Sequence, residues 1–200
     1  MATRKVTITL TNKVVGNYEA RSYPHDDSNG NGKIELYKVP LYEITITGVD
    51  DNGKNTSFIH KAPRFMPYWN NPKSPDPHYK TIGWVNAGLS QARTITVERY
   101  IRDYEVRNRY SPGRGAIVMR NSFYIHAGPA TESDVGFGSA GCVEIIGNYD
   151  TFKAQIASLS GIKSALADDV ITRLVKERKL VVIINSAAAP DIKKLYTREI

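Results

Sequence analysis

The chain has a single cysteine, Cys142, among its 200 residues, so no intramolecular disulfide can form. Its four histidines, His25, His60, His78 and His126, come without a second thiol, and no C-x-x-C or H-E-x-x-H spacing can be written. That argues against a zinc site, and no cofactor is expected. No stretch approaches the roughly 18 unbroken apolar residues a membrane helix needs, so membrane insertion is not expected either. The opening M-A-T-R-K-V-T-I-T-L lacks the apolar core of a secretory signal. The expectation is a protein made in the cytoplasm that carries no export signal, or one from which such a signal has been removed. Internal repeats and linker-like stretches are missing too, which leaves one domain over residues 1–200, long enough to bury a sizeable core.

What is present begins with charge. Twenty-seven basic residues against 20 acidic ones leave a net charge of +7, spread along the chain rather than gathered in a tail. Such a field favours anionic partners: nucleic acid, anionic lipid or the carboxylate-rich bacterial cell wall. No nucleic-acid-binding motif supports the first of these, and nucleic acid is not an expected partner.

Alternating β-branched and apolar residues predict strands over 6–10 (V-T-I-T-L) and 42–47 (Y-E-I-T-I-T), with a polar, glycine-rich loop over 25–33 between them. Asp50-Asp51-Asn52-Gly53 is a turn signal, and residues 56–60 read as the returning strand of a hairpin. Residues 61–93 carry five prolines among aromatics such as Phe65, Tyr68, Trp69 and Trp84, and are expected as an irregular aromatic loop or lid. Its stacking surfaces suit sugars and peptides, although such a stretch can equally pack a long loop onto the core. Strand-like patterns return over 94–106, 116–119 and 122–126, then over 143–146. Asn148-Tyr149-Asp150 offers caps for a helix over 151–159, a second helix is expected over 168–179, and L-V-V-I-I-N at 180–185 reads as a central strand. The fold class expected is mainly β with flanking α, with two helices behind the active-site segment.

The segment that carries chemistry is I-H-A-G-P-A-T-E-S-D-V-G-F-G-S-A-G-C-V-E-I-I, inside an active-site region over 122–160. His126 ends one apolar strand and Cys142 opens another, with a glycine-rich loop between, so two neighbouring strand ends can bring them together. A thiol is a poor nucleophile until deprotonated, and an adjacent imidazole is the usual base. Gly141 lets the backbone turn tightly before Cys142, leaving amide groups to face a developing oxyanion. Ser139 is placed to hydrogen-bond the imidazole or the loop. The second nitrogen of His126 needs a partner to fix its tautomer, and a backbone carbonyl serves, since no aspartate in the segment is obviously placed for it. Tyr124, two residues before His126 on a strand, shares its face and is a candidate wall of the site.

This pattern resembles the signature of YkuD-type L,D-transpeptidases, in which a histidine followed by glycine precedes a serine-histidine-glycine-cysteine turn at this spacing. His126, Ser139, Gly141 and Cys142 match it, and Asn148-x-Asp150 leading into a helix resembles the family's continuation. The resemblance implies a β-sandwich-like or barrel-like catalytic domain and thioester chemistry on peptidoglycan stem peptides, as an L,D-carboxypeptidase, an L,D-transpeptidase or a D-amino-acid exchanger. Three residues depart from it: Ala127 replaces the glycine after the histidine, Ala140 replaces the histidine of the turn, and Glu144 stands where an arginine is usual. Glu144 therefore faces the substrate in the arginine's place, and recognition of the substrate carboxylate falls to another cation, with Arg102, Arg107, Arg109 and Arg120 as candidates. Divergent members lacking the arginine include toxins delivered between bacteria by type VI secretion. A chain without its own signal suits that route, which implies secretion machinery and an immunity protein as partners and action in the periplasm of a target cell.

Two other readings stand beside this one. NlpC/P60-like wall amidases also use cysteine and histidine, but there the cysteine comes first in the chain. A non-catalytic wall-binding or phage-structural module with the same fold would show Glu144 and Ala140 as symptoms of lost activity, and a thiol no more reactive than free cysteine. The loop Asp27-x-Asn29-x-Asn31-Gly32 resembles half of an EF-hand, but its twelfth position is Lys38, so a plain polar turn is expected there. His25, His60 and His78 are expected as surface or loop residues.

Overall fold

A computed structural model describes residues 2–24, 26–27, 30–69, 82–84, 89–105, 113–120, 123–136, 142–191 and 194–200. The chain runs β1 (Val6–Arg21), β2 (Tyr23–Pro24), β3 (Glu35–Val49), β4 (Asn55–Pro63), β5 (Pro67–Trp69), β6 (Ile82–Trp84), β7 (Arg93–Thr96), β8 (Arg99–Ile101), β9 (Ala116–Arg120), β10 (Phe123–Ala127), β11 (Val143–Ile145), α1 (Tyr149–Leu159), α2 (Ala167–Lys176), β12 (Leu180–Ile184) and β13 (Tyr196–Glu199). The fold is mainly β with two helices.

The largest sheet has the order β13-β3-β1-β12-β7, with β4 also paired to β3. It is mixed: β12 lies parallel to β1 and antiparallel to β7. The apolar run of β12 is therefore central, as its composition predicts. A second sheet has the order β11-β10-β9-β8, and β2, β5 and β6 form a small third one. The sheets stay open, and no barrel closes among the described residues. That corrects the barrel-like expectation, and the physical reason lies at Val97. The alternating run 94–106 is not one strand: β7 pairs with β12 and β8 with β9, so the chain leaves one sheet for the other at this fully buried valine. A turn at residues 102–103 ends the pattern early.

The main core joins both large sheets and the helices. Val6, Ile8 and Leu10 from β1, Ile44 and Ile46 from β3, Ile125, Val143 and Ile145 from the second sheet, and Tyr149, Phe152, Ile156, Val170, Ile171 and Leu174 from the helices form one buried cluster. Each such side chain contributes about 1.5–3 kcal/mol by leaving water. β1 extends well beyond the five residues its alternation predicts. Register shifts between Leu10 and Gly16 bend it around the polar Thr11, Asn12 and Lys13, and its second half buries Tyr18 and Ala20 in a separate cluster with Tyr37, Val39, Leu41 and Met66. Tyr18 and Met66 reach the functional site from that second cluster.

The hairpin at Asp50–Gly53 forms as expected, with the Asp50 carboxylate accepting from the Asn52 and Lys54 amides and Gly53 at φ +78°. The expected irregular stretch 61–93 is partly regular: residues 61–63 finish β4, and β5 pairs with β2 on one side and β6 on the other. Residues 70–81 and 85–88 of it lie outside the described residues. In the polar loop the Asp27 carboxylate accepts from the amides of Gly30, Asn31 and Gly32, which closes a turn with its own backbone.

Candidate active site

β10 and β11 are neighbouring parallel strands, with Ile125 opposite Val143, His126 opposite Glu144 and Ala127 opposite Ile145. Strand side chains alternate between faces, so this register sorts the segment. Ile125, Ala127, Val143 and Ile145, each at most 1% exposed, point into the core. The other face takes Tyr124, His126 and Glu144, together with Cys142, which directly precedes β11. The Tyr124 backbone amide donates to the Cys142 thiol, and extending the register by one pair sets Cys142 opposite Tyr124. His126 and Cys142 are thus diagonal neighbours, on the order of 8 Å apart at Cα from ordinary strand spacings. An imidazole and a thiol leaving one face can span that gap.

Parallel neighbours need a crossing connection, and four contacts shape this one. Gly128 lies so close to β11 that a Cβ there would sit 2.9 Å from both the Glu144 Cβ and the Ile145 carbonyl oxygen. Its amide donates to that carbonyl at 2.9 Å. Lys61 on β4 bonds Glu132 at 2.5 Å. Gly136 donates to the Glu19 carbonyl (2.8 Å) and accepts from the Arg21 amide (2.9 Å), and a Cβ on it would meet the Tyr18 ring at 2.5 Å. Behind the strand, the Tyr149 hydroxyl donates to the Ile125 carbonyl at 3.0 Å, so the first turn of α1 steadies β10. Asn148 caps that helix by accepting from the Thr151 amide at 3.1 Å.

The imidazole of His126 places Nδ1 2.8 Å from the Ala127 carbonyl oxygen. A carbonyl only accepts, so Nδ1 carries the proton and Nε2 presents a lone pair. Cys142 and His126 are 6% and 2% exposed. Burial holds the imidazole down at about 4, against which the bond to Ala127 works only in part. Burial pushes the thiol up to about 11, helped by the nearby Glu144 carboxyl and opposed by the Tyr124 backbone. Both shifts oppose moving the thiol proton to the imidazole in this buried site. The resting pair is neutral, so deprotonation has to accompany attack on a substrate that enters the site.

Several neighbours escape a reading of the motif alone. Tyr104 packs edge-on to Tyr124 with ring centroids 5.3 Å apart and lies 5.4 Å from the His126 ring. Burial first, and then the adjacent thiol, push its phenol up to about 12. The Gly115 amide donates to the Tyr104 carbonyl at 2.9 Å, and the positive φ of Gly115 (+103°) lets that turn close beneath Tyr100. The Tyr18 hydroxyl lies 3.2 Å from the Met66 sulfur and 3.4 Å from Glu144 Oε2. Glu144 itself is 4% exposed, and burial pushes its carboxyl up to about 7. No local pattern marks Tyr18 or Tyr104, because both arrive through sequence-distant pairing.

Among the expected residues, Ser139 and Gly141 lie outside the described residues, as do Arg107, Arg109, His25 and His78. Arg102 is engaged by Asp169, and the Arg120 guanidinium sits 5.6 Å over the Phe123 ring, so neither is placed at the thiol by these contacts. His60 bonds Gln155 at 2.6 Å and packs edge-on to Phe152, away from His126. The described residues hold no group of three or more His, Cys, Asp or Glu arranged to bind a metal ion. No helix among them is long and apolar enough to cross a membrane. No family model, curated protein or solved structure matches the chain.

Proposed function

We propose that the chain is a cysteine acyl-transfer enzyme of the L,D-transpeptidase type, acting on peptidoglycan tetrapeptide stems. The observation that carries this is the placing of Cys142 and His126 on one face of two parallel strands, with Nδ1 of the histidine tied to the Ala127 carbonyl. In the proposed reaction the Cys142 sulfur attacks the carbonyl before the terminal D-residue while His126 Nε2 takes the thiol proton. The C–N bond breaks, the imidazolium returns the proton to the departing D-alanine amine, and a thioester remains. Water then completes a carboxypeptidase cycle, or an amine completes crosslinking or exchange. The YkuD-like fold, delivery as an antibacterial effector and action in the periplasm belong to the same proposal and rest on the resemblance of the motif. The excess of basic residues suits a carboxylate-rich wall.

A non-catalytic wall-binding or phage-structural module is the competing reading. It is favoured by a specific observation, a buried thiol pushed up to about 11 beside a carboxyl rather than a guanidinium. Products separate the two. Purified protein and Cys142→Ala are incubated with disaccharide-tetrapeptide and its crosslinked dimer and analysed by mass spectrometry. Loss of terminal D-alanine, or its exchange for an added D-amino acid, by the wild type alone supports acyl transfer. Intact tetrapeptide with a reduced thiol overturns it.

A further inference from the structure

Glu144 is costly where it stands. A carboxylate accepts up to about four hydrogen bonds, yet among the described residues one side chain donates to this one, the Tyr18 hydroxyl, at a long 3.4 Å. That hydroxyl has a single proton and also lies 3.2 Å from the Met66 sulfur. A glutamine or methionine would fill the same space without burying a charge. The carboxyl nevertheless shares the face of the nucleophile, two residues beyond Cys142 and directly opposite His126. Among the described residues, the titratable groups around it are Tyr18 from β1, Cys142 and His126 from its own sheet, and Tyr104 from the segment after β8. Each of these is neutral at neutral pH, so none supplies the cation a buried carboxylate calls for.

We infer that Glu144 is the acceptor-side residue of the proposed acyl transfer: it receives the ammonium of an amino-acid acceptor beside the Cys142 thioester and takes its first proton. The inference rests on the acyl-transfer reading and narrows it to transfer onto amines. Same-face residues on a strand are about 6.6 Å apart, so an amine held by the Glu144 carboxylate lies within reach of an acyl carbon on the Cys142 sulfur. The ammonium gives one proton to the carboxylate, and the neutral nitrogen attacks. The C–N bond forms, the nitrogen passes its second proton to His126 Nε2, the C–S bond breaks, and the imidazolium returns that proton to sulfur. Glu144 then releases its proton to solvent, a task suited to a carboxyl that burial has moved up to about 7.

The test reads how the thioester partitions. Disaccharide-tetrapeptide is supplied at neutral pH with either D-methionine, an ammonium, or hydroxylamine, which is already uncharged. The ratio of amine product to hydrolysed tripeptide is measured for the wild type and Glu144→Gln. The expected result is a fall of at least about tenfold in the D-methionine ratio for Glu144→Gln, with the hydroxylamine ratio changed by less than about twofold. Tyr18→Phe, which removes a hydrogen bond that holds the carboxyl down, should raise the pH at which the D-methionine ratio reaches half its maximum. An unchanged D-methionine ratio in Glu144→Gln, or an equal fall for both acceptors, overturns the assignment, as does a wild type that only hydrolyses. Those results leave acyl transfer intact. A wild type that releases no D-alanine overturns acyl transfer and this assignment together.

Discussion

The neutral resting pair makes a quantitative demand on the Cys142 thiol. With the thiol at about 11, the thiolate fraction at pH 8 is roughly 200-fold below that of a free cysteine titrating at about 8.5. A more basic thiolate is also a better nucleophile. With a Brønsted slope of about 0.4–0.5 that returns about tenfold, so alkylation should run about twentyfold slower than for free cysteine, before any further loss from the 6% exposure of the residue. Iodoacetamide modification followed by mass spectrometry over pH 6–10 measures this. The rate should climb across the whole range without a plateau. Glu144→Gln should accelerate it at pH 8, because the carboxylate beside the thiol holds its proton on. A thiol that alkylates faster than free cysteine at pH 6, with an acid limb below that, would mean a preformed thiolate–imidazolium pair and refute the reasoning. A slow thiol suits the buried site of an enzyme and a non-catalytic module alike, so the tetrapeptide products are what separate the two.

Three further outcomes are expected. His126 is held at about 4 in the fold against 6.5, so the unfolded chain binds the extra proton between those values, and up to roughly 3 kcal/mol of stability is lost as pH falls through that window. Glu144, at about 7 against 4.5, has the opposite sign: its contribution is full below 4.5 and lost as pH rises towards 7. Urea unfolding should therefore show Glu144→Gln losing more stability than the wild type on acidification from pH 6.5 to pH 4, and parallel curves would contradict the Glu144 shift. Gly136→Ala should cost about 1–3 kcal/mol in the same assay, because its Cβ meets the Tyr18 ring at 2.5 Å on a backbone pinned at both ends. Asn148→Ala should cost about 1 kcal/mol through loss of the Thr151 amide cap, read as a lower Tm.

Legibility in the sequence followed the range of the interactions. The strands over 42–47, 116–119 and 143–146, the 50–53 turn and the Asn148 cap are local devices, and each is written in a few adjacent residues. β13 carries Y-T-R-E, an exposed edge sequence with no apolar alternation, and exists because the first half of β3 needs a partner. The break between β7 and β8 is hidden for the opposite reason: alternation continues through Val97 while the pairing partner changes. α2 ends at Lys176, short of the expected 179, with Arg178 in the left-handed region at φ +57°. At the site, the spacing of His126 and Cys142 and the need for a carbonyl at Nδ1 follow from the motif, whereas Tyr18, Tyr104 and the closeness of Gly128 and Gly136 depend on which strands meet.

The same register explains why the chemistry resides in two short strands. Side chains on a strand alternate, so a slip of one residue between β10 and β11 would turn Cys142 and Glu144 into the core and bring Val143 and Ile145 out to His126. Nothing in a three-residue β11 resists such a slip alone. The resistance comes from its packing and its neighbours: four apolar residues of β10 and β11 at most 1% exposed on the core face, Gly128 pressed against Glu144 and Ile145, the Ile146 amide bonded to the Lys61 carbonyl at 2.9 Å, and Tyr149 bonded to the Ile125 carbonyl at 3.0 Å. The two faces of this strand pair are coupled by that arrangement. The apolar contacts that contribute stability on one side are the ones that hold nucleophile, imidazole and carboxyl in register on the other.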